Sequence, residues 1–217
     1  YYIHDIENMK KFGYQAIVSK MEFHSKNIPP SSFTPPSILS NDPTKNIISF
    51  SVFGGNSRYC ETAILNIREA KKVYPAWTCR FYIDDTVPEN IVSRIEHEGA
   101  QVIKVDSNIT EKMNGLFWRF LVLDDPHVER FLIRDADSLV SHREASAVAE
   151  WIKSNQCFHI MRDGFAHTEL ILAGMWGGCT GIIKNMEALI TDFNHCYKHH
   201  VKREYDQHFL RQCIWPF

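Results

Sequence analysis

Long apolar runs are missing from this chain. No stretch approaches the roughly 20 residues that a membrane-spanning helix needs, and the opening residues lack the basic, apolar and small-residue order of a secretory leader. An excess of one charge is missing too. The 24 lysines and arginines and 26 aspartates and glutamates are scattered along 217 residues, for a net charge of −2. Nucleic-acid binding wants a concentrated basic surface, and none is supplied. The six cysteines (Cys60, Cys79, Cys157, Cys179, Cys196 and Cys213) include no Cys-x-x-Cys pair, so neither a zinc ribbon nor a disulfide framework is indicated. Their wide spacing fits buried thiols in a reducing compartment, which makes a cytoplasmic protein, at most at the membrane periphery, the expectation. Gly-x-Gly-x-x-Gly and phosphate-loop motifs, internal repeats and low-complexity tracts are also absent.

What is present is an ordinary globular balance, with 44 % apolar and 23 % charged residues, in a chain long enough to bury a substantial core. Residues 1–28 carry a helical pattern, with Ile6, Met9, Phe12 and Ile17 roughly on one side. The following Ile28-Pro29-Pro30-Ser31-Ser32-Phe33-Thr34-Pro35-Pro36 cannot continue a helix, because four prolines lack the amide donor. Residues 1–45 are therefore expected to be a helical appendage and linker, and 46–217 the main domain.

From residue 46 strand and helix patterns alternate. Strands are expected at 47–53, 78–83, 100–105 and 130–134, with helices over about 57–73, 88–97, 114–123 and 142–153, the last opened by a Ser141/Glu144 capping box. A further strand at 157–161 precedes a glycine-rich apolar stretch, 171–178, and helices over 186–199 and 205–213. Alternation at this spacing predicts an α/β fold with a parallel sheet and right-handed crossovers, whose ligands sit beyond the carboxyl ends of the strands.

At such an end stands Asp135-Ala136-Asp137. One residue between two carboxylates lets both converge on a hard divalent cation. Magnesium or manganese held there would bridge the phosphates of a sugar nucleotide and offset charge on a departing diphosphate. A solvated turn is the plainer alternative. An EF-hand loop fails, because Leu139 and Val140 occupy its fifth and sixth places. A haloacid-dehalogenase-type phosphotransferase also sets Asp-x-Asp after a strand, but needs a later acidic pair; Asp163, Asp192 and Asp206 are each isolated.

The blocks Gly115-Leu116-Phe117-Trp118-Arg119-Phe120, Arg134-Asp135-Ala136-Asp137-Ser138, His159-Ile160-Met161-Arg162-Asp163, Ala173-Gly174-Met175-Trp176-Gly177-Gly178 and Asp206-Gln207-His208-Phe209-Leu210 resemble, in that order, a family of GT-A-type glycosyltransferase domains. Such domains occur in bacterial polysaccharide loci and large algal viruses. The resemblance covers about residues 46–217 and implies a Rossmann-like mixed, mainly parallel sheet flanked by helices. It also implies a nucleotide-sugar donor, UDP-linked by preference, a glycan or other hydroxyl acceptor, and Mn2+ or Mg2+ at Asp135 and Asp137. The nucleotide would lie against Ser51, Phe53 and Gly54, with Tyr59 near the base, Asp84 or Asp85 toward base or ribose, and Ala136 and Gly177 lining the donor site.

Where the family reads Arg-Asp-His-Pro-x-His, this chain reads Arg162-Asp163-Gly164-Phe165-Ala166-His167. Asp163 and His167 persist, the first as the leading candidate for general base and the second as a further metal or phosphate contact. Asp206 is the second base candidate, or a helix-terminal carboxylate. Arg119 suits a diphosphate or sugar hydroxyls through its bidentate fork, or a structural pair with Asp124 or Asp125. Trp176 would offer an apolar face to a sugar, or be core. His195 and His199 share a helix face without a third ligand at standard spacing. Two other outcomes stay open: the phosphotransferase, and a catalytically silent module that binds sugar nucleotide or glycan.

Overall fold

The computed structural model describes residues 33–165, 167–197 and 204–215. The helical pattern expected over 1–28 lies outside them. Strands β1 (Asn46–Val52), β2 (Thr78–Ile83), β3 (Gln101–Lys104), β4 (Arg130–Arg134), β5 (Phe158–Ile160) and β6 (Met175–Cys179) form one sheet in the order β3-β2-β1-β4-β6-β5. The pairs β1–β2, β1–β4 and β2–β3 are parallel, and β6 runs antiparallel to both β4 and β5. The expected mixed, mainly parallel α/β architecture is the one observed.

The central strands are apolar on both faces, as a covered parallel sheet requires. Ile47, Phe131, Ile133 and Trp176 point into one core, with Phe117, Phe120, Phe193 and Phe209. Ile48, Phe50, Leu132 and Phe81 point into the other, with Ile64, Ile67, Ile91 and Trp151. The second core is closed by α1 (Ser57–Val73), α2 (Glu89–His97) and α5 (His142–Lys153). The first is closed by α4 (Gly115–Trp118), the 3-10 segment Arg119–Asp124, α6 (Met186–Tyr197) and α7 (Tyr205–Phe209); α3 (Ser107–Lys112) lies between β3 and α4. Asn56 caps α1 by accepting from the Arg58 amide at 3.0 Å, and Ser141 caps α5 from Glu144 at 3.4 Å.

Three expectations needed adjustment. The helix at 114–123 is a single α turn that tightens into the 3-10 segment at Arg119. The glycine-rich stretch is strand β6: Gly177 and Gly178 leave room for the Phe131 backbone oxygen and the Phe158 ring, so a methyl at either position would crowd them. Helix α7 is followed by the wider π turn Leu210–Ile214. The end of the linker is not free of the domain. Arg130, buried in β4, donates to the carbonyls of Pro36 and Ile38, and the Asn46 amide donates to Ser40, Asp42 and Ala76. Proline-rich backbone has spare acceptors and few donors, and these two side chains supply the donors.

Cys60, Cys79, Cys179 and Cys213 are buried and unbridged, as expected of structural thiols. Burial pushes Cys79 up to about 12 and Cys179 to about 11. No helix among the described residues is long and apolar enough to cross a membrane.

His159 on β5 is buried and stacked on Trp151 at 5.6 Å. Burial, helped by the nearby Arg134 charge, lowers its pKa from 6.5 to about 4. An imidazole kept neutral in the fold contributes stability above pH 6.5 that is lost as pH falls toward 4. That lowering corresponds to about 3 kcal/mol. Urea titrations at pH 7 and 4 should therefore show a smaller acid loss for His159→Phe than for the wild type; equal losses would place the acid sensitivity elsewhere.

Candidate active site

The parallel strands β1, β2 and β4 end at one edge of the sheet, and antiparallel β6 begins there. This puts Phe53 and Gly54, Asp84, Asp135 and Gly174 at neighbouring strand ends, since Arg134 is paired with Met175 across the sheet. The Asp135 carboxylate lies over the bare Cα of Gly174, and a methyl group there would overlap it.

Arg119 organises the centre. Its chain is seated on β1: Ser49 Oγ donates to its carbonyl at 2.7 Å, and its amide donates to Ser51 Oγ at 2.9 Å. Its side chain is 5 % exposed and forks, one nitrogen donating to Asp135 Oδ1 and the Arg134 carbonyl, the other to Asp206 Oδ2 at 2.8 Å. Burial opposes its charge, but the two carboxylates outweigh that and raise its pKa. Burial raises the Asp206 carboxyl above its ordinary range, with Arg119 pulling the other way and Asp135 adding to the rise. The alternative pairing of Arg119 with Asp124 or Asp125 is not what forms. Asp125 binds Arg80 at 2.7 Å, and Asp124 accepts from the first amides of α6.

The Asp-x-Asp turn is clamped from behind by Asn66 of α1, which is fully buried. Its amide donates to the carbonyls of Ala136 and Ser138 at 3.2 and 3.0 Å, and its oxygen accepts from the Val140 amide at 3.0 Å. Asp137, 22 % exposed, is paired with Arg58 at 2.9 Å, whose side chain is 70 % exposed. Arg134 is held by Glu144 at 2.9 Å, so Glu144 of the capping box turns its carboxylate to the strand as well as to Ser141. Neither Asn66 nor Arg134 was singled out from the sequence. The available signal was a polar residue on the apolar stripe of α1, among Ala63, Ile67 and Ala70, and a base closing a buried strand.

A cleft of about 540 Å³ opens beside Asp135, lined by Arg119, Gly174, Asp163, His167 and Asp206 among others. Asp163 and His167 meet in it, with Nδ1 and Oδ1 2.6 Å apart and both side chains 42 % exposed. Asp206 is buried, with Oδ1 accepting from the Gln207 amide and Oδ2 bound to Arg119. A larger groove, about 940 Å³ between residues 124–126 and 180–192, lies at the far edge of the sheet and holds none of the expected site residues.

On the donor side, Phe53 stands half-exposed on Gly115 and meets the Trp118 edge at 5.7 Å. Gly54, at φ +71°, donates its amide to Thr86 Oγ1 at 2.6 Å. Tyr59 is exposed, with the Arg58 guanidinium 6.0 Å from its ring centre. Asp84 accepts from both the amide and hydroxyl of Thr86, which commits one oxygen to its own turn, while Asp85 is exposed. Ser51 supports Arg119, and Ala136 is buried beneath the acidic turn. Two expectations are corrected by burial. Trp176 is fully buried and presents no face to a sugar, and Gly177 lies inside the sheet between Leu132 and His159, away from the cleft lining.

No cluster of three His, Cys, Asp or Glu side chains able to cage a metal occurs among the described residues. Two carboxylates nevertheless fit magnesium or manganese, which commonly take one or two protein carboxylates and fill the remaining positions with phosphate and water. Both carboxylates carry arginine partners, and Arg58, being exposed, is free to swing aside. His167 has committed Nδ1 to Asp163, which leaves only Nε2. His195 lies on α6, but His199 falls outside the described residues.

No family model matches the chain, and no curated protein is similar to it in sequence. Among solved structures it is similar to the mannosyltransferase PcManGT from Pyrobaculum calidifontis in complex with GDP-Man and Mn2+, at 11 % identity and a TM-score of 0.44. The match covers 82 % of this chain and 56 % of that one, so the chain spans little more than half the length of that enzyme. At that distance the likeness assigns no residue.

Gly174→Ala tests whether the strand-end packing positions Asp135. The new methyl displaces the carboxylate while leaving the core intact. Activity that depends on Asp135 should fall about 100-fold, the scale of a 1 Å misplacement, with the unfolding midpoint little changed. Full activity in this variant would show that Asp135 tolerates the shift.

Proposed function

We propose that the chain is a metal-assisted glycosyltransferase domain of GT-A type, moving a sugar from a nucleotide diphosphate to a hydroxyl acceptor. The observation that carries this is a half-exposed Asp135, held by buried Arg119 at the end of β4 and opening on the cleft, with Asp137 two residues on and paired with exposed Arg58. Asp135 and Asp137 would hold Mn2+ or Mg2+, which when bound offsets the charge of the departing diphosphate. Arg58, released from Asp137, would be a cation available to the phosphates. Phe53, Gly54 and Tyr59, together with Asp84 or Asp85, border the side on which a nucleoside would rest, and the Phe53 ring offers a stacking face. Arg119 and Asp206 keep Asp135 in place from below. The sequence resemblance favours a UDP-sugar as donor and a glycan as acceptor.

A second reading draws on the same arginines. With both carboxylates already neutralised, the domain would bind a sugar nucleotide or glycan without turning it over. Thermal-shift screening of UDP-glucose, UDP-galactose, UDP-N-acetylglucosamine and GDP-mannose, with and without Mn2+, followed by an assay for released diphosphate, separates the two. Stabilisation by mass action that requires Mn2+, together with release, supports the enzyme; stabilisation without release supports the silent module. No stabilisation by any nucleotide sugar would sink both.

A further inference from the structure

Resting on that reading, we propose that His167, held by Asp163, is the group that takes the proton from the acceptor hydroxyl. Six carboxylates line the cleft. Glu144 is bound to Arg134, Glu169 lies 3.6 Å from Arg211, and Glu204 stands exposed at the start of α7; the geometry sets each of the three aspartates back. Asp206 has both oxygens bound, one to Arg119 and one to the Gln207 amide, and is buried. Asp135 is bound to Arg119 and packed on Gly174. Asp163 spends Oδ1 on His167 at 2.6 Å. A carboxylate that accepts from Nδ1–H fixes the imidazole in the tautomer whose Nε2 carries a lone pair. This is the base-and-orienter arrangement that activates hydroxyl groups in many sites, and imidazole is the side chain best matched to proton transfer near neutral pH.

The loop that carries the pair is braced for it. Arg162 reaches across its base to the carbonyls of Glu169 (2.8 Å) and Leu170, and the His167 amide donates to the Gly164 carbonyl at 3.0 Å. The turn brings His167 back over Gly164, next to Asp163, on the lining shared with Asp135 and Gly174. Half exposure leaves Nε2 open to a ligand in the cleft and lets the imidazolium return its proton to water.

The step balances as a single displacement with inversion. The acceptor O–H bond breaks and its proton passes to Nε2 of His167. The oxygen forms a bond to the anomeric carbon, and the bond from that carbon to the diphosphate oxygen breaks. The electron pair leaves with the nucleotide diphosphate.

The test uses the full chain with Mn2+, the nucleotide sugar that stabilises it best in the four-donor panel, and methyl hexosides as acceptors. His167→Ala should bind the donor within twofold of the wild type but transfer about 100- to 10,000-fold more slowly, the range of a lost general base, and added imidazole should restore part of the rate. Asp163→Asn should lower kcat with the donor KM unchanged. In 15N-resolved NMR, His167 of the wild type should show the Nδ1–H tautomer, and Asp163→Asn should abolish that preference, which a merely structural loop contact would not predict. Transfer by His167→Ala within threefold of wild type, or an Nε2–H tautomer in the wild type, overturns the assignment while donor binding stands. A wild-type protein that binds none of the donors overturns the underlying reading and this proposal with it.

Discussion

Arg119→Met is expected to cost about 3–5 kcal/mol of unfolding free energy at pH 7, the usual penalty for removing one member of a buried ion pair. The arginine is the cationic partner of Asp206, whose side chain is 8 % exposed. Without it, buried Asp206 and half-exposed Asp135 lose the charge between them, and Asp206 escapes by binding a proton. Burial already raises its pKa, and losing the guanidinium raises it further. For an acid whose folded pKa lies above its unfolded value, stability is greatest at low pH and falls as pH rises through the folded pKa. The deficit of the variant relative to wild type should therefore shrink between pH 7 and pH 5 in urea titrations. The double variant Arg119→Met/Asp206→Asn should regain much of the loss, because no buried charge is left unpaired and Asp135 is half-exposed. A deficit that is constant with pH would mean the arginine stabilises by packing alone, on Phe120 for example, which its guanidinium carbon approaches to 5.7 Å of the ring centre.

Asp137→Ala should do the reverse, leaving the fold intact and removing the function. The lost ion pair with exposed Arg58 is worth at most about 1 kcal/mol, so the midpoint without ligand should barely move. Transfer, by contrast, should fall at least about 1000-fold. Charge stabilisation at a leaving diphosphate is worth several kcal/mol, and each 1.36 kcal/mol is a factor of ten in rate. The Mn2+-dependent part of the donor-induced thermal shift should vanish along with it. Equal shifts in the wild type and the variant would remove Asp137 from the metal site. The two variants together separate the buried Arg119–Asp206 pair, which the fold depends on, from Asp137, which the ligand depends on.

The strand frame was legible because the central strands are buried on both faces. Runs such as Ile47–Phe50 and Phe131–Ile133 leave no other reading, and β2 and β4 begin and end where their patterns do. Strand β6 was not legible as a strand, since Gly177 and Gly178 carry no side-chain pattern and their identity is dictated by neighbours far away in sequence. The same holds for the site. Asp135 and Asp137 announced themselves by following a strand, but their partners did not. Asn66 lies 70 residues from the Ala136 carbonyl it holds, and Asp206 lies 87 from Arg119. Pairings that distant are made by the topology and leave no local spacing to detect. Trp176 was open to two readings, since an aromatic between glycines suits a sugar as well as a core, and the fold sets it at the centre of the core beside Phe120 and Phe131.

Manganese placement in a crystal grown with the best-stabilising nucleotide sugar is the most direct measurement of the central claim. The expected result is an anomalous difference peak about 2.0–2.6 Å from oxygens of Asp135 or Asp137, the range for hard cations on carboxylates, bridged to the diphosphate, with Arg58 turned away from Asp137. A diphosphate bound at another edge of the sheet, with no manganese at these two carboxylates, would contradict it.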